Sequence, residues 1–253
     1  MMDKGAYFRR IGLAEDTRVE KTRAFLSKVQ YHHVISVPYE NLDILNGVPI
    51  SLEAQDLYDK IVMRNRGGYC FEVNALLKAF LVELGFKVNS YFARYLRGEQ
   101  DIPVRRHHVL AVETDEGTFV CDVGIGQTAP RFPLLLEEGL VQEQGSEVYR
   151  FERDSQLGWV LWEKRNDQWS KYFSFTDDVA LDIDFIQPSF YCQMHPQSPF
   201  NKTNIVAIKT PNGRKSIDGR DFKIFENGEL ISKEENCTDA RLYKILKEHF
   251  GIE

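Results

Sequence analysis

The spacing of apolar residues changes at Gly85, and that change limits the folds open to this chain. Before it, Val73, Leu76, Leu77, Phe80, Leu81 and Leu84 recur at three- and four-residue intervals, the spacing of one helix face. Gly85 then stands where a helix C-terminus is capped. After it come short alternating or β-branched runs at 87–96, 107–114, 118–123, 148–152, 159–165 and 168–175, separated by turn residues such as Asp115-Glu116-Gly117 and Asn166-Asp167. A chain that is helical first and β second reads as α+β, with an antiparallel sheet or barrel as its second part. From about Asp182 the composition shifts again. Pro188, Pro196 and Pro199 mark an irregular connector, and strands at 204–210 and 222–225 around Asn212-Gly213 are expected beyond it, with a closing helix near 239–249.

Within the helical part, 17–31 carries Val19, Phe25, Leu26 and Val29 at helical intervals, and His32 and His33 follow it as solvated or capping residues. Val37 to Asp43 is a polar-aromatic segment broken by Pro38. A helix is expected over 52–65, with Ser51 as its N-cap. At 253 residues the chain can form two domains, or three small ones packed together.

The helix ending at Gly85 begins in Arg66-Gly67-Gly68-Tyr69-Cys70-Phe71-Glu72-Val73-Asn74. The two glycines allow positive φ and close backbone approach, delivering Cys70 to a helix N-terminus. Unpaired amides and the macrodipole there favour an anion, and the thiolate is the reactive form of cysteine. Taken alone, the same cysteine fits an inert core position equally well.

Composition sets bounds on what such a thiol can serve. With 32 basic and 38 acidic side chains the net charge is −6, which argues against a protein that tracks nucleic-acid phosphates. The four cysteines (Cys70, Cys121, Cys192, Cys237) are scattered, the N-terminus lacks a signal-like apolar core, and no apolar run approaches membrane-spanning length. A cytoplasmic protein with reduced thiols and no membrane partner is expected. Without a CxxC pair or HExxH, no metal is expected either.

A nucleophilic thiol needs a base, and the base needs a partner that fixes its tautomer. His107 or His108 opens one strand, and Asp122 lies near the end of the next, inside Val120-Cys121-Asp122-Val123-Gly124-Ile125-Gly126. An aspartate among apolar strand residues is costly to bury unpaired. The hairpin through Asp115–Gly117 brings the two strands together, but a one-residue slip in its turn decides which histidine faces Asp122. A bulge at Gly117 selects His108, and a tighter turn selects His107.

These segments together resemble the arylamine N-acetyltransferases. The stretch 66–74 resembles the RGGxCxExN signature, Tyr7 to Leu13 the YxxRIGL segment, Pro38 to Asp43 the PFENLD segment, Asp122 to Gly126 the DVGFG segment, and His195 to Phe200 the HPxSPF segment. They follow in family order across most of the chain. The family's HxxLxV context fits His107, with Leu110 and Val112, so the resemblance assigns the histidine role to His107 and keeps His108 as the fallback.

The resemblance implies an α+β fold of three units: a helical one (1–85) carrying Cys70, a β-barrel (86–185) carrying His107 and Asp122, and a smaller α/β lid (186–253). The active site is arranged as in cysteine proteases. It implies ping-pong transfer from acetyl-CoA, through acetyl-Cys70, to arylamines, hydrazines or N-hydroxyarylamines. Gly124, Gly126, Gln127, Ser198 and Lys202 are expected to meet CoA, and Tyr39, Tyr69 and Ile125 to line the acceptor pocket. Ile125 replaces the usual aromatic of its segment, and Arg106 brings charge next to the histidine. Arg66 and Glu40 are expected to form a buried pair bracing the loop. Other readings are a Cys–His–Asp hydrolase, an amide synthase of macrolactam assembly, and a binding protein without turnover.

Overall fold

The computed structural model describes residues 2–253. The helix begun at Cys70 runs to Glu83, with Gly85 just beyond it at φ +84°. Arg23–Ser36 forms the second long helix, starting later than expected because the Thr22 side chain accepts from Phe25 N and sets its first turn. His32 and His33 therefore lie inside that helix rather than after it. His33 is buried, with Nδ1 2.8 Å from the Tyr7 hydroxyl. The helix expected over 52–65 is shorter, Ala54–Leu57 continuing into a wider π-turn at Tyr58–Met63. Ser51 is not its cap. The Ser51 hydroxyl donates to Asp56 and accepts from Glu53 N, so it folds the approach to the helix instead.

The β part is one eight-stranded antiparallel sheet in the spatial order Leu134–Leu135, Gly117–Cys121, His107–Thr114, Lys87–Tyr95, Gln168–Ala180, Gly158–Arg165, Glu147–Asp154, Gln142–Gln144. It curls until its two short edge strands meet. Side chains join them: Gln142 bonds both backbone groups of Leu135, and Gln144 both of Phe132, at 2.8–2.9 Å. Two glutamine amides thus stand in for a missing backbone ladder, and the sheet is a nearly closed barrel.

The register of the first hairpin fixes the site. Thr114 pairs with Gly117 and Leu110 with Cys121, so the turn is the two residues Asp115-Glu116, without a bulge. By strand alternation, Val109 and Val120 then point into the barrel core while Leu110, Val112, Phe119 and Cys121 pack against the helices. His107 and Asp122 fall on the Val109/Val120 face, and His108 falls on the other.

Beyond the barrel the expected connector contains a helix, Ile186–Met194. Pro188 sits in its first turn, where the missing N–H costs nothing. The C-terminal sheet has five strands in the order Tyr39–Glu40, Ile205–Thr210, Gly213–Asp218, Asp221–Glu226, Glu229–Glu234, backed by the helix Asp239–Ile245. Its first strand comes from the helical part of the chain, with Tyr39 opposite Ala207 and Glu40 opposite Val206. Among the described residues no helix is long and apolar enough to cross a membrane.

Candidate active site

Cys70 is the first residue of its helix, and the approach to it is built by close contact rather than by unusual φ. Neither Gly67 nor Gly68 has positive φ, contrary to one part of the expectation. A Cβ on Gly67 would sit 2.0 Å from Pro38 O, and one on Gly68 2.8 Å from Glu72 Cβ. Gly68 O accepts from Glu40 N at 3.0 Å, so the loop lies flush against the strand Tyr39–Glu40. Glu72 Oε2 accepts from Tyr69 N at 3.2 Å, closing the helix start.

A buried ionic network braces this loop. Arg66 donates to Glu40 Oε1 at 2.8 and 3.1 Å, the expected pair, and to Asp43 at 2.9 Å. Lys60, which the sequence did not single out, lies 2.7 Å from both Asp43 and Glu72. Burial opposes its charge, but Glu72, Glu40 and Asp43 hold it above the ordinary lysine range. The chain from Glu40 through Arg66, Asp43 and Lys60 to Glu72 thus ties the edge strand of one sheet to the first turn of the thiol helix.

On the barrel side, His107 Nε2 lies 2.6 Å from Asp122 Oδ2. That leaves Nδ1 as the ring nitrogen able to take a proton from a thiol. Asp122 Oδ1 accepts from Gly124 N at 2.8 Å and from Asn74 Nδ2 at 2.9 Å. Asn74 also donates to His108 O at 2.7 Å and accepts from Val123 N at 3.0 Å. It stands one helical turn after Cys70, on the same face, and so couples the thiol helix to the His–Asp strands. The helix spacing within the 66–74 stretch was the available signal for it. Gly124 permits the junction: a Cβ there would lie 2.6 Å from Asn74 Nδ2 and 2.8 Å from Cys70 Cα.

His108, the fallback, is turned away. Its Nε2 meets Ser90 Oγ at 3.0 Å and its ring stacks on Phe185. Burial first, then His107 and Lys78, push its pKa well below the ordinary value, so it stays neutral.

Cys70 and His107 line one chamber of about 210 Å³ with Tyr39, Tyr95, Arg106, Gly124, Ile125, Pro199, Phe200 and Ile205. The Cys70 sulfur also lies 3.8 Å from Arg106 O. Burial, with Cys192 and the Asp122 carboxylate nearby, pushes the thiol well above its usual range, opposed by the backbone amides of His108 and Phe71. Burial thus disfavours the free thiolate, and forming it calls for a base within the chamber.

The expected contact residues divide. Tyr39, Ile125 and Gly124 line the chamber. Tyr69 does not: it is fully buried, with its hydroxyl 2.5 Å from Ser189 Oγ. Ser198 is consumed internally, donating to Cys192 O and accepting from Phe200 N. Lys202 is exposed on the turn after it. Gly126, at φ +60°, is packed against Tyr39 and Ala207. Gln127 accepts from Arg214 Nε and lines a second cleft of about 580 Å³, where Arg97, Arg131, Lys164, Arg165 and Arg214 face Glu147 and Glu163. Five cations against two carboxylates, in a protein of net charge −6, make this cleft a place for an anion. The short turn Gly126–Thr128 separates it from the chamber. Among the described residues no group of three or more His, Cys, Asp and Glu side chains is placed to hold a metal ion.

Residues 23–253 match the N-acetyltransferase family model. The chain is 37% identical over 257 residues to the arylamine N-acetyltransferase of Mycobacterium tuberculosis, covering 99% of this chain and 89% of the relative. Its fold superposes on the arylamine N-acetyltransferase of Salmonella typhimurium with a TM-score of 0.93 at 26% identity, covering 100% and 92% of the two chains. The Mycobacterium marinum enzyme, solved in complex with CoA, superposes with a TM-score of 0.91 at 32% identity over 99% and 93%. The class is thus an acetyltransferase. The chain belongs to the arylamine N-acetyltransferase family.

Proposed function

We propose that this enzyme carries the acetyl group of acetyl-CoA to the nitrogen of arylamines and hydrazines, or the oxygen of N-hydroxyarylamines, by way of acetyl-Cys70. The observation that carries the reading is the chamber in which Cys70 and an Asp122-paired His107 meet. His107 Nδ1 takes the thiol proton as sulfur attacks the acetyl carbonyl, and Asp122 holds the ring and stabilises its positive charge. One thiol displaces another, so the exchange is close to balanced, and the departing CoA sulfur recovers the proton from His107. An amine of low basicity, unprotonated at neutral pH, then attacks acetyl-Cys70. His107 accepts its proton and Cys70 is regenerated.

The basic cleft beside Gly126–Thr128 suits the phosphates of CoA, with the pantetheine arm entering the chamber past Gly124 and Ile125. This replaces Ser198 and Lys202 as the phosphate contacts and keeps Gln127. In this scheme residues 1–85 supply the thiol, 86–185 the His–Asp pair and 186–253 a cover over the chamber, with Pro199, Phe200 and Ile205 in its lining.

The test is a single-turnover experiment with acetyl-CoA and no amine. One equivalent of CoA is released and the acetyl group is found by mass spectrometry on the peptide containing Cys70; Cys70→Ala shows neither. Continued CoA release, as fast without an arylamine as with one, would place the protein among hydrolases instead.

A further inference from the structure

We infer that Asn41 is a positioning residue for the second half of the reaction: it holds the chamber wall against which an aromatic acceptor lies. The inference rests on the acetyl-transfer reading above. Asn41 precedes the short helix Leu42–Leu45, a place where an asparagine side chain ordinarily accepts from the first turn. Here it makes no such bond, and Glu40 Oε2 accepts from Leu42 N instead, at 2.8 Å. Asn41 is only 1% exposed, and its amide is spent on a distant part of the chain. Nδ2 donates to Phe200 O and to Thr203 O, both at 2.8 Å, and Oδ1 accepts from Ile205 N at 2.8 Å.

Three bonds from one planar amide fix where the segment from Phe200 to Ile205 lies. Phe200 and Ile205 both line the chamber that holds Cys70. Ser198 and Asn201 tie the start of that segment to the helix Ile186–Met194, through Cys192 O and Gln193 O. Asn41 ties it to the thiol loop. The strand Tyr39–Glu40 just before Asn41 lies against Gly68, two residues from Cys70, and Glu40 N donates to Gly68 O at 3.0 Å. The wall that Phe200 supplies is therefore set relative to the loop that presents the sulfur. An aromatic amine attacking acetyl-Cys70 lays its ring along the apolar lining, and its nitrogen meets the carbonyl at a productive angle only while that lining keeps its place. The new N–C bond forms as the C–S bond to Cys70 breaks, and the amine proton passes by way of His107 to the sulfur. Hydrazine has no ring to place and reaches the same carbonyl without the wall.

The test measures kcat/KM for 4-methoxyaniline and for hydrazine, acetyl-CoA being the donor. In a ping-pong scheme this constant for the acceptor reports only its reaction with the acetyl-enzyme. Asn41→Ala loses on the order of tenfold toward 4-methoxyaniline and stays within about twofold toward hydrazine. Alkylation of Cys70 by iodoacetamide, which uses no wall, keeps its rate. In a Phe200→Ala background the same substitution costs little further, because the wall it held is gone. Asn41→Asp keeps the acceptor for Ile205 N but sets an oxygen where the two donors were, and it carries the same comparison should the alanine variant not fold. Equal losses toward the two acceptors, no loss toward 4-methoxyaniline, or a loss undiminished in the Phe200→Ala background overturns the inference. Failure of the wild type to acetylate either compound would instead overturn the acetyl-transfer reading beneath it.

Discussion

Replacing Asn74 by alanine removes a side chain that hydrogen-bonds across the junction between thiol helix and barrel. Asp122 Oδ1 loses one of its two donors, a charge-assisted bond worth about 1.5–3 kcal/mol. His108 O and Val123 N each lose a partner, at about 0.5–1.5 kcal/mol apiece. The sum, roughly 2.5–6 kcal/mol, is a large part of the 5–15 kcal/mol typical of a folded protein. Urea denaturation should show a loss in that range. The same change frees the Asp122 carboxylate to rotate off His107. If about 2 kcal/mol of orientation is lost there, acetylation of Cys70 slows roughly 30-fold. Stopped-flow release of p-nitrophenol from p-nitrophenyl acetate reads this step without CoA or amine. A variant that is less stable but acetylates Cys70 at the wild-type rate would show that Asn74 supports the fold alone, and the argument from its bonds to Asp122 would fail.

Gly124→Ala should be worse for activity than its single added methyl suggests. Its Cβ would press on Asn74 Nδ2 and on the Cys70 backbone, so the strand end must shift; a drop of at least tenfold in the acetylation rate is expected with the thermal midpoint as the companion measurement. Arg66→Gln leaves Glu40, whose side chain is wholly buried, without its guanidinium, and denaturation should report a loss of about 3–5 kcal/mol; a loss under 1 kcal/mol would mean that Lys60 and Leu42 N suffice. Burial, reinforced by Arg10, lowers the His33 pKa from its ordinary 6.5 to about 3. Between those values the unfolded chain binds a proton that the folded one refuses. Stability conferred by neutral His33 is therefore full above pH 6.5 and declines as pH falls toward 3, by up to about 1.4 kcal/mol per pH unit. His33→Asn, which keeps an acceptor near Tyr7, should flatten that slope in unfolding titrations run from pH 7 to pH 4.

How much of this was readable from sequence depended on whether the deciding interaction was local. The helix from Cys70 to Gly85 announces itself through its period and its cap, and the β runs through their turns. The choice between His107 and His108 did not, because it turns on whether Asp115-Glu116 closes the hairpin alone or with a bulge, and both fit the residues. The family's sequence context pointed to His107, and the pairing of Thr114 with Gly117 agrees. Lys60 is invisible for another reason: an isolated lysine in a helical stretch looks solvated until Asp43 and Glu72, far from it along the chain, close around it. Helix Ile186–Met194 was hidden by Pro188, which breaks a helix in its interior but not in its first turn. The strand Tyr39–Glu40 is only two residues long, too short for any periodicity to reveal.

That short strand also imposes an order of events on the growing polypeptide. Asn41 Oδ1 accepts from Ile205 N across 164 residues of sequence. At roughly 5–20 residues per second, the segment holding Glu40 waits on the order of 8–30 s for the neighbour that will hold it in place. During that interval the strand Tyr39–Glu40, on which the thiol loop lies, lacks its neighbour in the second sheet. A nascent chain arrested before residue 205 should thus be digested at 37–43 by a protease that leaves the finished protein intact.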